Sequence, residues 1–142
     1  MINMNQKVDE FKKKLILDTA SEYFKTLGYE KTQIDRISKD LSIGVGTIYG
    51  YFASKEGLFM AWLKYVIDNA SAEMQEYCDV ETNPVQKLKM VVEYKIKYFE
   101  KNKTTIKGYM QNNQLFLRGI SRRKEHPMAK AYNYCAGIIK DL

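Results

Sequence analysis

The sequence predicts an all-α protein, and three observations predict it. Apolar residues recur at spacings of three and four along most of the chain, the period of an amphipathic helix. No alternation of apolar and polar residues marks a half-buried strand. Only two prolines, Pro84 and Pro127, interrupt the 142 residues, so long helices are sterically permitted. Apolar residues make up 45% of the chain, enough to bury a core and too many for a disordered segment.

The elements follow in order. A first helix is expected from about Asp9 to Leu27, with Phe11, Leu15, Tyr23, Phe24 and Leu27 on one side, Ala20 between them and Gly28 ending it. Lys12, Lys13 and Lys14 near its start oppose the helix macrodipole, so they either serve an anion outside the helix or form a solvated run. Thr32 reads as an N-cap, with Asp35 completing a short capping box. Ile34, Ile37 and Leu41 form the inner face of a short second helix, which Ser42-Ile43-Gly44 breaks. Val45 to Phe52 reads as a third helix. Ser54 caps a fourth, carrying Leu58, Phe59, Trp62, Val66 and Ala70 on one side. Asn83-Pro84 opens a fifth, because Asn caps and Pro suits the first helical position. Leu88, Val92, Ile96 and Phe99 are its expected stripe. After a break at 102–104, a sixth helix carries Ile106, Tyr109, Met110, Phe116, Leu117 and Ile120. His126-Pro127 starts a seventh, striped by Met128, Ala131, Tyr132, Cys135, Ile138, Ile139 and Leu142. That stripe runs to the last residue without a C-cap, and we expect the natural chain to continue beyond Leu142 with further helices.

Charge and composition narrow the chemistry. The net charge is +6, but residues 1–60 carry nine Lys and Arg against eight Asp and Glu, while residues 61–142 carry fourteen against nine. Nucleic-acid recognition needs a few well-placed phosphate contacts more than a large local charge, so this asymmetry does not locate it. Cys78 and Cys135 have no close spacing, which fits reduced thiols in a cytoplasmic protein. One histidine, His126, and no cysteine pair supply too few ligands for zinc, and no metal or cofactor is expected. The first residues hold no apolar run suited to a signal peptide, and no stretch approaches the roughly 20 apolar residues of a membrane span. There is no nucleophile–base pair and no phosphate-cradling glycine loop, so an enzyme is the weakest reading.

The informative segment is TQIDRISKDLSIGVGTIYGYFASK, from Thr32 to Lys55. Two short helices joined by a tight turn form a helix-turn-helix, whose second helix can enter the DNA major groove. Such a helix needs a slim approach and polar groups that reach phosphates and base edges. Gly44 and Gly46 keep its start slim. Thr47, Tyr49 and Tyr51 offer hydroxyls, and Lys55 adds a cation just beyond. The N-terminus of the preceding helix, at Thr32 and Gln33, can donate backbone N–H groups to a phosphate. Ile48 and Phe52 read as core residues that seat the helix, and Arg36 and Lys39 as solvated charges.

Gly28, Thr32-Gln33-Ile34, Ile37-Ser38, Gly46-Thr47-Ile48-Tyr49-Gly50-Tyr51-Phe52 and Lys55-Glu56-Gly57-Leu58, in this order and spacing, resemble the signature of the tetracycline-repressor (TetR) family. The resemblance covers roughly residues 9–62, and the remainder agrees only as a helical layout. It implies a dimeric regulator, often a repressor, that binds a palindromic operator and is released by a small molecule bound in the C-terminal helical domain. It further implies that Thr32, Gln33, Thr47, Tyr49 and Lys55 contact phosphates, and that Val45, Gly46 and Tyr51 lie nearest the bases. Three positions depart from the family pattern. Ser42 replaces the usual turn glycine and would carry strain at positive φ. Gly44 replaces the usual Ser or Thr cap, a small loss. Leu41 is bulkier than usual.

The expected organisation is therefore a DNA-binding domain over residues 1–53 and a helical effector-binding and dimerisation domain over 54–142. Candidate ligand-facing residues are Trp62, Tyr109, Met110 and Asn113. Asn113 falls on an apolar face and needs a partner, in a neighbouring helix or in a ligand. Trp62 also reads simply as core. The tyrosines and methionines of the second half suit an adaptable apolar site or an ordinary core. Arg118, Arg122, Arg123 and Lys124 suit a helix C-terminus, or an anionic effector. Expected partners are operator DNA, an unknown small-molecule effector and a second copy, with no membrane. An activator is the alternative within the class. A small-molecule-binding or scaffold protein with a vestigial helix-turn-helix is the alternative outside it.

Overall fold

The computed structural model describes residues 3–111 and 129–142, and the helices found there account for nearly all of them. They are α1 (Met4–Lys31), α2 (Ile34–Leu41), α3 (Val45–Phe52), α4 (Lys55–Cys78), α5 (Pro84–Lys101), α6 (Lys103–Gln111) and α7 (Ala129–Lys140). No strand occurs among the described residues. None of these helices is long and apolar enough to cross a membrane. The chain divides into two units, Met1–Tyr65 and Val66–Leu142.

In the first unit, α1 starts earlier than the apolar pattern suggests. Asn3 caps it in a reciprocal capping box: its side chain accepts from the Gln6 N–H at 2.9 Å, and the Gln6 side chain accepts from the Asn3 N–H at 3.0 Å. The core side of α1 is Ile16, Ala20 and Phe24, whereas Phe11 and Leu15 are exposed. The expected stripe is thus corrected at its first half, because α1 extends well before the core begins. Gly28 interrupts the helix at φ 75°, ψ 174°, a conformation only glycine adopts cheaply.

The second correction concerns Thr32. It does not cap α2. It is 1% exposed, and its hydroxyl turns back to donate to the Gly28 carbonyl at 2.7 Å, satisfying an acceptor freed by the kink. Gln33 takes the N-cap position without a side-chain hydrogen bond. α2 buries Ile34, Ile37 and Ser38. Tyr23 of α1 donates to the Asp40 carboxylate and ties the two helices together. Phe24, Phe59 and Trp62 form an aromatic core, with ring centroids 5.0–5.5 Å apart, and Tyr29 packs on its edge.

The second unit has a core of Met74 and Cys78 from α4, Val91 from α5, and Ala131 and Ile138 from α7. Asn83 caps α5 as expected, accepting from Val85 and Gln86, with Pro84 at the start. The inner face of α5 differs from the expected one. Val91 is buried while Val92, Ile96 and Phe99 are more than half exposed. On α7, Ala131 and Ile138 face inward but Tyr132 and Ile139 do not, and Leu142, beyond its end, is exposed. The break between α5 and α6 is narrower than expected, since α6 already starts at Lys103. Both cysteines are free thiols, and burial pushes the Cys78 thiol up.

Candidate DNA interface

The helix-turn-helix is held by its turn. Ser42 adopts φ 52°, ψ 40°, the left-handed conformation that a non-glycine residue enters at a cost of about 1–2 kcal/mol. Its N–H donates to the carbonyls of Ser38 and Lys39. The Ile43 N–H donates to the Ser38 carbonyl at 3.1 Å, and the Ser38 hydroxyl donates to the Ile43 carbonyl at 2.7 Å. These bonds leave the turn a single geometry and offset the strain. Gly44 then caps α3, its carbonyl accepting from Thr47 at 2.9 Å.

One side of α3 is fixed and the other is open. Ile48 is fully buried and Phe52 half-buried, as their apolar chemistry requires. Gly46, Thr47, Tyr49 and Gly50 are exposed. A Cβ added at Gly46 or Gly50 would meet nothing within 4 Å. Neither glycine is therefore required by the protein's own packing, although each costs about 0.5–1 kcal/mol of helix stability relative to alanine. A surface kept flat at that cost suits the close approach of an external partner.

The remaining expected contacts sit in varied surroundings. Val45 is half-buried at the start of α3, and Gln33 is exposed at the start of α2. Tyr51 donates its hydroxyl to Asp9 Oδ1 of α1 at 2.7 Å, which raises its pKa, and the Lys13 ammonium lies 5.6 Å from its ring centroid. Lys55 is engaged at home. Its Nζ donates to the Glu30 carbonyl at 3.1 Å and lies 4.6 Å from the centre of the Tyr29 ring. Asp9 and Lys13 were not singled out by sequence reasoning as partners of Tyr51. Their i,i+4 spacing places them on one face of α1, but nothing in the sequence links that face to α3.

Among the ligand-facing candidates, Trp62 is fully buried in the aromatic core of the first unit. Tyr109 and Met110 fall on α6, with side chains outside the described residues. Asn113, the Arg118–Lys124 cluster and His126 also lie outside the described residues. A groove of about 200 Å³ among Leu15, Ile16, Leu41 and Ile43 is smaller than the usual range for a small-molecule site.

Residues 16–61 match the sequence model described as bacterial regulatory proteins, tetR family. The uncharacterised HTH-type transcriptional regulator YhgD of Bacillus subtilis (strain 168) is 31% identical over 134 residues, which cover 92% of this chain and 68% of that protein. The fatty acid metabolism regulator protein of the same organism is 30% identical over 77 residues, 54% of this chain and 40% of that one. Among solved structures, the fatty acid degradation regulator FadR from Bacillus halodurans shares the fold with a TM-score of 0.66 at 21% identity, over 92% of this chain and 67% of that one. FadR from Bacillus subtilis, in complex with stearoyl-CoA, has a TM-score of 0.51 at 18% identity, over 89% of this chain and 84% of that one. With a helix-turn-helix in the matched segment and a regulator similar along most of its length, the chain belongs to the TetR family of bacterial regulatory proteins, DNA-binding regulators of transcription rather than enzymes.

Proposed function

We propose that the protein is a cytoplasmic, dimeric repressor that occupies a palindromic operator and is released by a small-molecule effector. The observation that carries this reading is the open face of α3, where Gly46 and Gly50 have no internal packing role beside the exposed Thr47 and Tyr49. Residues 1–53 form the DNA-binding domain and residues 54–142 the effector-binding and dimerisation domain. Thr47 and Tyr49 contact phosphates through their hydroxyls. Gln33 does so beside the N–H groups at the start of α2, which have no intrahelical partner. Thr32, with its hydroxyl turned inward, shapes that helix start. Lys55 contributes a positive potential near the phosphates from where Glu30 and Tyr29 hold it. Val45, Gly46 and Tyr51 face the bases. Two half-sites about one helical turn apart match a two-fold symmetric dimer.

In the effector domain Tyr109, Met110 and Asn113 are the ligand contacts we propose, while Trp62 lies in the aromatic core of the first unit. Stearoyl-CoA is the first effector to try, since it is bound in the Bacillus subtilis FadR structure and two of the similar proteins are named for fatty acid regulation.

Selection from a pool of random DNA duplexes at physiological salt tests the reading. The wild type is expected to enrich a palindrome. Tyr49→Ala is expected to weaken binding to it. Gly46→Ala is expected to fold with equal or greater stability and still bind worse, because the added methyl meets DNA rather than protein. A Gly46→Ala protein that is stable and binds like wild type would count against α3 as the reading helix. Salt-sensitive binding with no enriched sequence would leave only nonspecific affinity.

A further inference from the structure

We infer that Asp9 is a positioning residue for DNA reading: it accepts the hydrogen bond that the Tyr51 hydroxyl can donate and leaves Tyr51 able only to accept a hydrogen bond from a base amino group. The inference rests on the proposed placement of Tyr51 against the bases.

A tyrosine hydroxyl has one proton to donate and lone pairs that accept. An ionised carboxylate only accepts. In the Asp9–Tyr51 pair, 2.7 Å apart, the tyrosine must therefore be the donor. Phosphate oxygens are also acceptors, as are N7 and O6 of guanine and O4 of thymine in the major groove. A Tyr51 whose proton is spent on Asp9 has nothing to give them. It suits the amino groups of adenine N6 and cytosine N4, which donate. The carboxylate thus turns an indifferent side chain into a selective one.

The build of α1 supports this role. Every residue from Asn3 to Leu15 is exposed, so these turns add nothing to the core. An exposed stretch of that length is marginal by itself, yet it is set by the Asn3–Gln6 capping box. It carries Asp9 and, one turn on, Lys13 to the same tyrosine ring. Lys13 offsets the repulsion between the Asp9 carboxylate and nearby phosphates. Asp9 and Lys13 both precede residue 16, where the family match begins.

The test compares half-sites selected by the wild type, Asp9→Ala, Asp9→Asn, Tyr51→Phe and the double variant Asp9→Ala/Tyr51→Phe. The wild type is expected to favour adenine or cytosine at one position, by roughly fivefold, the low end for a specific base contact. Asp9→Ala and Tyr51→Phe should each lose preference at that position alone, and the double variant should lose no more. Asp9→Asn, which keeps an acceptor oxygen, should restore much of it. The structural pair is read separately in free protein: 13C NMR titration of the tyrosines, with Tyr51 assigned by its loss in Tyr51→Phe, should show it ionising at lower pH in Asp9→Ala. A stable Asp9→Ala protein with the wild-type preference at every position overturns the inference. So does a Tyr51-dependent position that prefers guanine or thymine. A wild type that selects no sequence while the NMR shift is present removes the DNA-reading proposal itself, and the inference with it.

Discussion

The glycine at position 57 has little alternative. A Cβ there would stand 1.9 Å from the carbonyl oxygen of Phe52, closer than any real contact, and 3.4 Å from the Ser54 hydroxyl that caps the same turn. Its absence lets α4 begin within three residues of the end of α3 and so fixes how α3 leaves its seat. Gly57→Ala is expected to destabilise the protein by about 1–3 kcal/mol, as overpacking does. Gly50→Ala, with nothing within 4 Å, should raise stability by about 0.5–1 kcal/mol. Thermal unfolding of both variants checks this, and equal midpoints would show that the close approach relaxes freely. The sequence contains Gly57 as part of a recognisable motif but not its reason, which is a contact across a turn. Thr32 and Lys55 teach the same lesson. Their types suggested a cap and a phosphate contact. Their protein partners, the carbonyls of Gly28 and Glu30, become visible only once the kink at Gly28 is in place.

At the scale of elements, punctuation was more legible than facing. Val45–Phe52 and the start at Pro84 follow from Gly44 and Asn83, whose backbone roles are local. The start of α1 was missed because its capping box precedes turns with no core contact. The face of α5 differs from the expected one because a spacing of four fits more than one stripe: Leu88, Val92 and Ile96 compete with Leu88, Val91 and Tyr94, and packing selects the second, whereas on α7 the expected Ala131, Cys135 and Ile138 do meet the core. That chosen face also carries polar clamps. Tyr94 donates to Glu73 at 3.1 Å, and Tyr134 donates to Asp79 at 2.7 Å. Burial, then the Glu73 carboxylate, push Tyr94 up to about 12, and Tyr134 is raised in the same way by burial and Asp79. Unfolded tyrosines ionise near 10. These clamps therefore contribute fully below about pH 10 and lose their contribution as pH rises through the folded values. Between about pH 10 and about pH 12 the wild type should lose stability more steeply than Tyr94→Phe/Tyr134→Phe, whereas below about pH 9 the two slopes should agree. Urea unfolding followed by helical circular dichroism measures both slopes, and parallel slopes would reject the clamps as the source. Asp79 works at the other end. Hydrogen bonding from Tyr134 and the nearby Lys87 hold its carboxyl below the usual range, so its contribution is present above about pH 4 and fades as acid protonates it.

For the whole molecule, the all-helical class and the family were legible because many motif residues agree in order, whereas effector chemistry was not, because apolar and aromatic residues line cores and ligand sites alike. One element belongs to both units. α4 gives Leu58, Phe59 and Trp62 to the core of the first and Met74 and Cys78 to the core of the second. Trp62 is the chain's one tryptophan and lies 5.0 Å from the Phe24 ring, so its emission reports the aromatic core of the first unit without a label. Saturating stearoyl-CoA is expected to change Trp62 fluorescence and to weaken operator binding by a factor in the range of about 5–150. Linkage then requires operator DNA to weaken stearoyl-CoA binding by the same factor. Binding of both ligands with no mutual effect would refute release by this effector. Mutual weakening with unchanged Trp62 emission would retain release and exclude a rearrangement of the aromatic core around Trp62 as its route.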